Sequence, residues 1–206
     1  IMLFITLYPF WHQVVVSLEG SFSGVYEGGL KLWPKRFSVQ AYRIIFQYQT
    51  LWLGFRNSVI RVIWGSALTV IGTAVTAYPL SKKDLPFKGF YTTFLFITML
   101  FGGGLIPTYL LIRSLGLFNT YWSLVLPGMI SAYNVFIVRN FFKGLPEEIE
   151  ESAFIDGASW LTIFVRIVLP MSVPVLAVIA LWSAVGHWNS WFDVMIYVQD
   201  PSKVTL

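Results

Sequence analysis

Cysteine is absent from this chain. Its absence excludes disulfides, thiolate metal sites and a cysteine nucleophile, and leaves the compartment open. Charge is scarce: 12% of the 206 residues are Asp, Glu, Lys or Arg, against about 25% in an ordinary soluble domain. Histidine occurs at His12 and His187 only, each without a metal-ligating neighbour at helical spacing. Such residues read as hydrogen-bonding groups, and no metal site is expected. No glycine-rich loop ends in Gly-Lys-Ser/Thr, so no ATP site of that type lies on this chain. No Gly-x-Ser-x-Gly elbow occurs either. We expect no catalytic residue and no bound cofactor on this chain. Internal repeats and low-complexity segments are also missing.

What fills the chain is apolar: 56% of residues are hydrophobic and 18% aromatic. A fold of this length cannot hide that much apolar surface from water. Several runs approach the roughly 20 apolar residues that cross a bilayer. The runs are continuous, not alternating, which argues against a β-barrel. The fold class expected is therefore all-α, a polytopic helical membrane protein. The net charge of +4 fits lysine and arginine anchors at membrane edges, and no nucleic-acid partner is expected.

The chain is read as a single transmembrane domain, 1–206. Residues 1–18 look like most of a first span, and the start at Ile1 reads as part of a longer chain. Residues 19–52 mix Gly, Ser, Glu and Lys with aromatics, as in Ser21-Phe22-Ser23-Gly24-Val25-Tyr26-Glu27-Gly28-Gly29, which is loop chemistry. Further spans are expected at 55–80, 90–112, 119–142 and 172–188, so about five in all. A polar insert occupies 143–170, and an aromatic, half-apolar stretch covers 189–198. Within the third span, Gly102-Gly103-Gly104 followed by Pro107 suits packing, bending or an unwound turn. Arg56, Asn57 and Arg61 open the second span, either as interface anchors with snorkelling stems or as groups facing a pore. Lysines and arginines divide evenly between the two sides, so orientation rests weakly on the dense loop of Lys82, Lys83 and Lys88.

The polar insert is the informative segment. Leu145-Pro146-Glu147-Glu148 starts a helix, with proline in the first turn and acids complementing the helix dipole. Ile149, Ala153 and Phe154 share one face. Asp156-Gly157 breaks the helix, because glycine takes the left-handed conformation that helix ends use. Ser159 caps a second helix bearing Leu161, Phe164, Ile167 and Val168, and Leu169-Pro170 ends it. The product is a helix–turn–helix between two spans. It is either an amphipathic interfacial hairpin or a surface offered to a protein partner.

The spacing carries a resemblance. Glu151-Ser152-Ala153, then Gly157 after three residues, Ile167 after nine more and Leu169-Pro170 after one resemble the cytoplasmic loop of membrane subunits of bacterial ATP-binding-cassette importers. That signature is Glu-Ala-Ala, three residues, Gly, nine residues, Ile, one residue, Leu-Pro. Ser152 in place of Ala is the one departure, and it is small enough to keep close packing. Asp156-Gly157-Ala158-Ser159, Ile163-Phe164, Pro174 and Trp188-Asn189-Ser190-Trp191-Phe192-Asp193 resemble the carbohydrate-uptake, maltose-type branch. The likeness runs from Tyr8-Pro9 to Asp200-Pro201-Ser202-Lys203.

The resemblance implies several things. Residues 143–170 would be a cytoplasmic coupling loop, with Glu151, Ala153, Asp156, Gly157, Ala158 and Ser159 meeting a separate ATPase subunit. Members of this type have six spans, and the sixth would follow Leu206. Partners would be a second permease subunit, two cytoplasmic ATPase subunits that carry ATP and Mg, and an extracytoplasmic solute-binding protein. The location would be the bacterial inner membrane. This chain would perform alternating access and no chemistry.

Trp182, His187, Trp188, Asn189, Trp191 and Asp193 combine flat aromatic faces with amide and carboxylate groups. They are either an interfacial aromatic belt or, as the resemblance suggests for the fifth span, part of a sugar path. Tryptophan-rich ends and outer arginines point to an oligosaccharide, with an acidic uronate oligomer as one candidate. The run His187–Phe192 also resembles importers of polysaccharides and uronate oligosaccharides. Two rival readings make different demands. An ion-gradient transporter needs intramembrane carboxylates or paired broken helices. A membrane enzyme needs a polar catalytic cluster within its spans. Neither pattern stands out.

Overall fold

The computed structural model describes residues 2–20 and 31–206. The loop reading of residues 21–29 lies outside them. The chain divides into two compact units, Ile1–Leu53 and Gly54–Leu206.

In the first unit, helix α1 spans Met2–Ser17. The chain then returns along it. The amide of Lys31 donates to the Tyr8 hydroxyl at 2.7 Å, and the Trp11 indole donates to the Leu32 carbonyl at 2.9 Å. Glu19 accepts the amides of Lys35 and Arg36, each at 3.1 Å, beside an isolated antiparallel bridge from Glu19 to Phe37. A short amphipathic helix, α2, covers Gln40–Gln47.

Helix α3, Gln49–Ser81, is 33 residues long, or about 50 Å at 1.5 Å per residue. Most of it, from Gly54 onward, belongs to the second unit. Helices α4 (Lys88–Leu100) and α5 (Leu105–Ser114) follow. Helix α6, Trp122–Val125, continues as a 3₁₀ turn over Leu126–Gly128 and leads to α7, Ala132–Lys143. The polar insert gives α8, Glu147–Ile155, and α9, which starts at Trp160–Ile163. α9 widens to a π turn at Phe164–Val168 and ends at Leu169–Met171. Helix α10 covers Val173–Asn189 and α11 covers Phe192–Tyr197.

Among the described residues, α3 alone is long and apolar enough to cross a membrane by itself. Three bent pairs reach that length together: α4 with α5 at 117°, α6 with α7 at 53°, and α9 with α10 at 78°. Counting each pair as one span gives up to four by length and composition. The first expected stretch forms α1, whose 16 residues approach the roughly 20 that cross a bilayer. The third expected span is discontinuous. Gly102-Gly103-Gly104 forms poor helix, Phe101 is extended, and Gly104 sits at φ 80°, a region open to glycine.

Proline accounts for the π turn. Pro170 has no N–H to give the Arg166 carbonyl, and its ring would collide with that carbonyl in a regular α-helix. The wider turn before it relieves both. The expected stop at Leu169-Pro170 is therefore shifted: the helix passes through the proline and ends at Met171.

Two apolar clusters hold the second unit. The larger joins Ala74, Ala77 and Leu80 of α3 to Val135, Val138 and Phe142 of α7, Ile163, Phe164 and Val168 of α9, and Val175 and Ile179 of α10. The smaller joins Ile112, Leu124, Val194, Tyr197 and Val198. Gly65, Thr69, Thr73 and Ala77 form a buried small-residue row on α3, which allows neighbouring helices to come close.

Candidate functional site

The turn between α8 and α9 is built entirely from local rules. Asp156 caps α8 and Gly157 takes φ +83°. The Gly157 amide donates to the Phe154 carbonyl at 3.0 Å, and the Ala158 amide donates to the Ala153 carbonyl at 2.9 Å. This pair of bonds is a Schellman motif, which satisfies carbonyls that the helix end would leave orphaned. On the far side, the Ser159 hydroxyl accepts the Thr162 amide at 3.3 Å, so serine caps α9 as its sequence position implies. Pro146 stands at the cap of α8, one place before the expected first helical position.

The six residues of the expected coupling set therefore lie on one tight reversal. Ala153 and Ala158 turn inward and pack against the large core cluster. Glu151, Asp156, Gly157 and Ser159 face outward. Beside them Ile155 is 87% exposed and Leu161 71% exposed. Two large aliphatic side chains offered next to a glycine without a side chain make a small apolar knob. Such a surface asks for a protein partner.

A groove of about 930 Å³ runs behind this turn, lined in part by Tyr78, Lys82, Lys88, Phe142, Glu150 and Trp160. Glu150 takes a hydrogen bond from the Tyr78 hydroxyl at 3.1 Å and an ion pair from Lys82. Lys83 and Glu147 pair at 2.8 Å in the open. That contact holds the Glu147 carboxyl below the ordinary carboxylate range and lifts the Lys83 ammonium above the ordinary lysine range. Arg139 reaches the Leu80 carbonyl at 3.0 Å, and Lys88 reaches the Lys82 carbonyl.

A second polar cluster lies toward the other end of α3. Asn57 and Arg61 are buried in the protein, so neither of the two expected roles, snorkelling anchor or pore-facing group, describes them. Arg56, one residue away, is exposed. The Asn57 amide donates to the carbonyls of Ser202 and Val204 at 2.8 and 2.9 Å and accepts the Tyr121 hydroxyl at 2.9 Å. Arg61 donates to the carbonyls of Ser190 at 2.6 Å and Leu124 at 3.3 Å and pairs with Asp193. From Asn57 to Tyr78 is about 32 Å of helix, close to the roughly 30 Å of a bilayer's hydrocarbon core. Between Asn57 and Tyr78 the one charged residue of α3 is Arg61, one turn in from Asn57.

The aromatic set takes separate neighbours. Trp182 stacks on Tyr133 with ring centroids 6.2 Å apart, and Trp188 meets Phe55 edge-on at 6.2 Å. Trp191 is edge-on to Phe192, and the Asn189 amide is turned back to the Val185 carbonyl at 3.0 Å. His187 lies against Gly65, where a side chain would meet the imidazole. The Asp193 carboxylate is taken up by Arg61, by the Ser190 hydroxyl at 2.8 Å and by the Val194 amide at 3.0 Å. These three donors hold Asp193, and Arg61 is the partner that sequence reasoning did not assign to it. The available signal was an arginine further inside one span than Arg56 and a lone acid just past another.

The sequence and the fold both match known proteins. The family model described as binding-protein-dependent transport system inner membrane component matches residues 59–192. Protein LplC of Bacillus subtilis (strain 168) is 40% identical over 97% of this chain and 67% of its own length. The polygalacturonan/rhamnogalacturonan transport system permease protein YtcP of the same organism is 39% identical over 97% of this chain and 69% of its own. The structure superposes with a TM-score of 0.93 at 28% identity on a chain of a bacterial ABC transporter involved in the import of the acidic polysaccharide alginate, covering 98% of this chain and 72% of that one.

Proposed function

The chain belongs to the family of binding-protein-dependent transport system inner membrane components, and on that premise we propose that it is the pore-forming permease subunit of an ATP-driven importer of sugars or oligosaccharides. It is the membrane subunit of such a system and does no chemistry. ATP and Mg belong to two separate ATPase subunits. A second permease subunit completes the pore, and an extracytoplasmic binding protein delivers the substrate. Residues 143–170 face the cytoplasm in this reading, and the membrane is the bacterial inner membrane. The rival ion-gradient mechanism falls with the family membership.

The observation that carries the coupling assignment is the turn at Gly157. Glu151, Ala153, Asp156, Gly157, Ala158 and Ser159 combine a hydrogen-bonded helix end with an outward-facing glycine backbone. Ile155 and Leu161 project on either side. A partner can approach that backbone closely, and the inward alanines transmit its movement to the core shared by α3, α7, α9 and α10. Movement of that core alternates access to the pore.

For the substrate, we place Trp182, His187, Trp188, Asn189 and Trp191 along the path, with Asp193 fixing the corner through Arg61. A uronate-containing oligosaccharide is the proposed class. Two similar proteins have names that specify polygalacturonan and alginate, and Arg56 and Arg113 are exposed cations on this chain. Two assays test the reading. The ATPase should co-purify with the wild-type chain and be lost when residues 151–159 are altered. Uptake by the assembled transporter should favour uronate oligomers over neutral ones. Retention of the ATPase in the altered chain would refute the coupling surface, and indifference to uronates would refute the substrate class.

A further inference from the structure

We propose that Lys82, Glu150 and Tyr78 form a positioning strut that makes the turn at Gly157 move as one body with helix α3. This rests on the coupling reading above and names how that surface reaches the longest span. The need follows from connectivity. The insert is covalently continuous with α7 on one side and α10 on the other, through Gly144 and Ser172. Its backbone reaches α3 only by the long route through α4 to α7. A push at Gly157 reaches α3 directly through non-covalent contacts.

Apolar packing in the shared core supplies part of that link, and the shielded polar contacts centre on one carboxylate and one ammonium. Glu150, in the first turn of α8, accepts from the Tyr78 hydroxyl at 3.1 Å and from Lys82. The Lys82 ammonium also lies 4.5 Å from the Tyr78 ring centroid and 5.8 Å from that of Trp160. Trp160 opens α9 and packs edge-on against Phe154 of α8 at 4.3 Å. One cation at the end of α3 therefore touches both arms of the insert. The side chains of Lys82 and Glu150 are 24% and 13% exposed, whereas those of Lys83 and Glu147 are 78% and 65% exposed. The inner pair is shielded enough to hold a fixed geometry, and the outer pair is largely screened by water. Charge-assisted bonds of the inner kind are short and directional, as a strut requires.

The test uses the complete transporter reconstituted in vesicles. Uptake, ATP hydrolysis and ATPase retention are measured for Glu150→Gln, Lys82→Met, and the exchange Lys82→Glu with Glu150→Lys. Lys83→Met with Glu147→Gln is the control. We expect ATPase retention and hydrolysis near wild type in the single variants. Uptake per ATP should fall about fivefold or more, the scale of a typical coupling free energy. The exchange should recover most of the loss, and the control should show none. Wild-type uptake per ATP in both single variants would overturn the strut. So would loss of the ATPase from Glu150→Gln at unchanged thermal stability, because Glu150 would then be a docking residue. Failure of the exchange to restore uptake per ATP, with all variants less stable, would reduce the contact to ordinary packing. Failure of the coupling reading shows separately, as absence of a cross-link from position 157 to the ATPase in an otherwise wild-type complex.

Discussion

The guanidinium of Arg61 pairs with the carboxylate of Asp193, 132 residues further along the chain, and so fixes the corner after α10 to the flank of α3. The arginine side chain is 2% exposed and the aspartate 25% exposed. That asymmetry gives a prediction. Asp193→Ala leaves an uncompensated cation inside the protein, which costs about 3–5 kcal/mol. Arg61→Met leaves a carboxylate that still reaches water and keeps the Ser190 hydroxyl, so its cost should be about 1–3 kcal/mol. Thermal unfolding in detergent measures both. Equal losses would mean that burial of the arginine is not what the pair compensates.

Gly65 and His187 give a second test. A Cβ at position 65 would intrude on the imidazole ring, and both residues lie on long helices with little room to slide. Gly65→Ala should therefore destabilise by about 1–3 kcal/mol, as overpacking does. Adding His187→Ala should recover much of that loss, since the clash disappears with the ring. Additive losses in the double-mutant cycle would show that the two helices separate freely.

The local features of the insert were legible in the sequence because their causes are local. Asp156-Gly157 and Ser159 specify a C-cap and an N-cap within a few residues, and the structure has both. The apolar helical runs were legible for the same reason. Arg61, Asn57 and Tyr78 were not. Their partners lie between 63 and 147 residues away, and nothing in the periodicity of α3 distinguishes a buried arginine from an interfacial one. The breaks at Phe101–Gly104 and at Phe164–Val168 belong between these cases. Glycine and proline mark the places, but the bend angle and the π turn depend on what packs around them.

The exposed pair Lys83–Glu147 predicts a pH dependence. Its carboxyl is depressed and its ammonium raised in the folded protein. The carboxyl's contribution to stability is present above its unfolded value of about 4.3 and is lost as pH falls through the lower folded value. The ammonium's contribution is present below its unfolded value of about 10.4 and is lost as pH rises through the higher folded value. Asp200, held low by the hydroxyl and amide of Ser202 and by Lys203, should follow the acid limb. Carboxyl NMR titration should place Glu147 and Asp200 below ordinary carboxylates, and Lys83→Met should move Glu147 alone back up. An unmoved Glu147 would show that the pair does not persist in solution.

Gly157 allows backbone cost and partner contact to be separated. A Cβ there meets nothing within 4 Å, yet φ is +83°. Substitution is therefore strained by conformation, not by crowding within this chain. Gly157→Ala should cost about 1–2 kcal/mol, and Gly157→Asn less, because asparagine visits the left-handed region more readily. Gly157→Pro should cost about 3 kcal/mol or more, since it also removes the amide that bonds the Phe154 carbonyl. If the turn only ends a helix, transport should follow this stability order. If the bare backbone is what the ATPase approaches, Gly157→Asn should keep near-wild-type stability and still lose ATPase retention and uptake. Measuring melting temperature beside ATPase co-purification for the three variants distinguishes the two, and an asparagine variant that keeps the ATPase and imports at the wild-type rate would remove the argument for close approach.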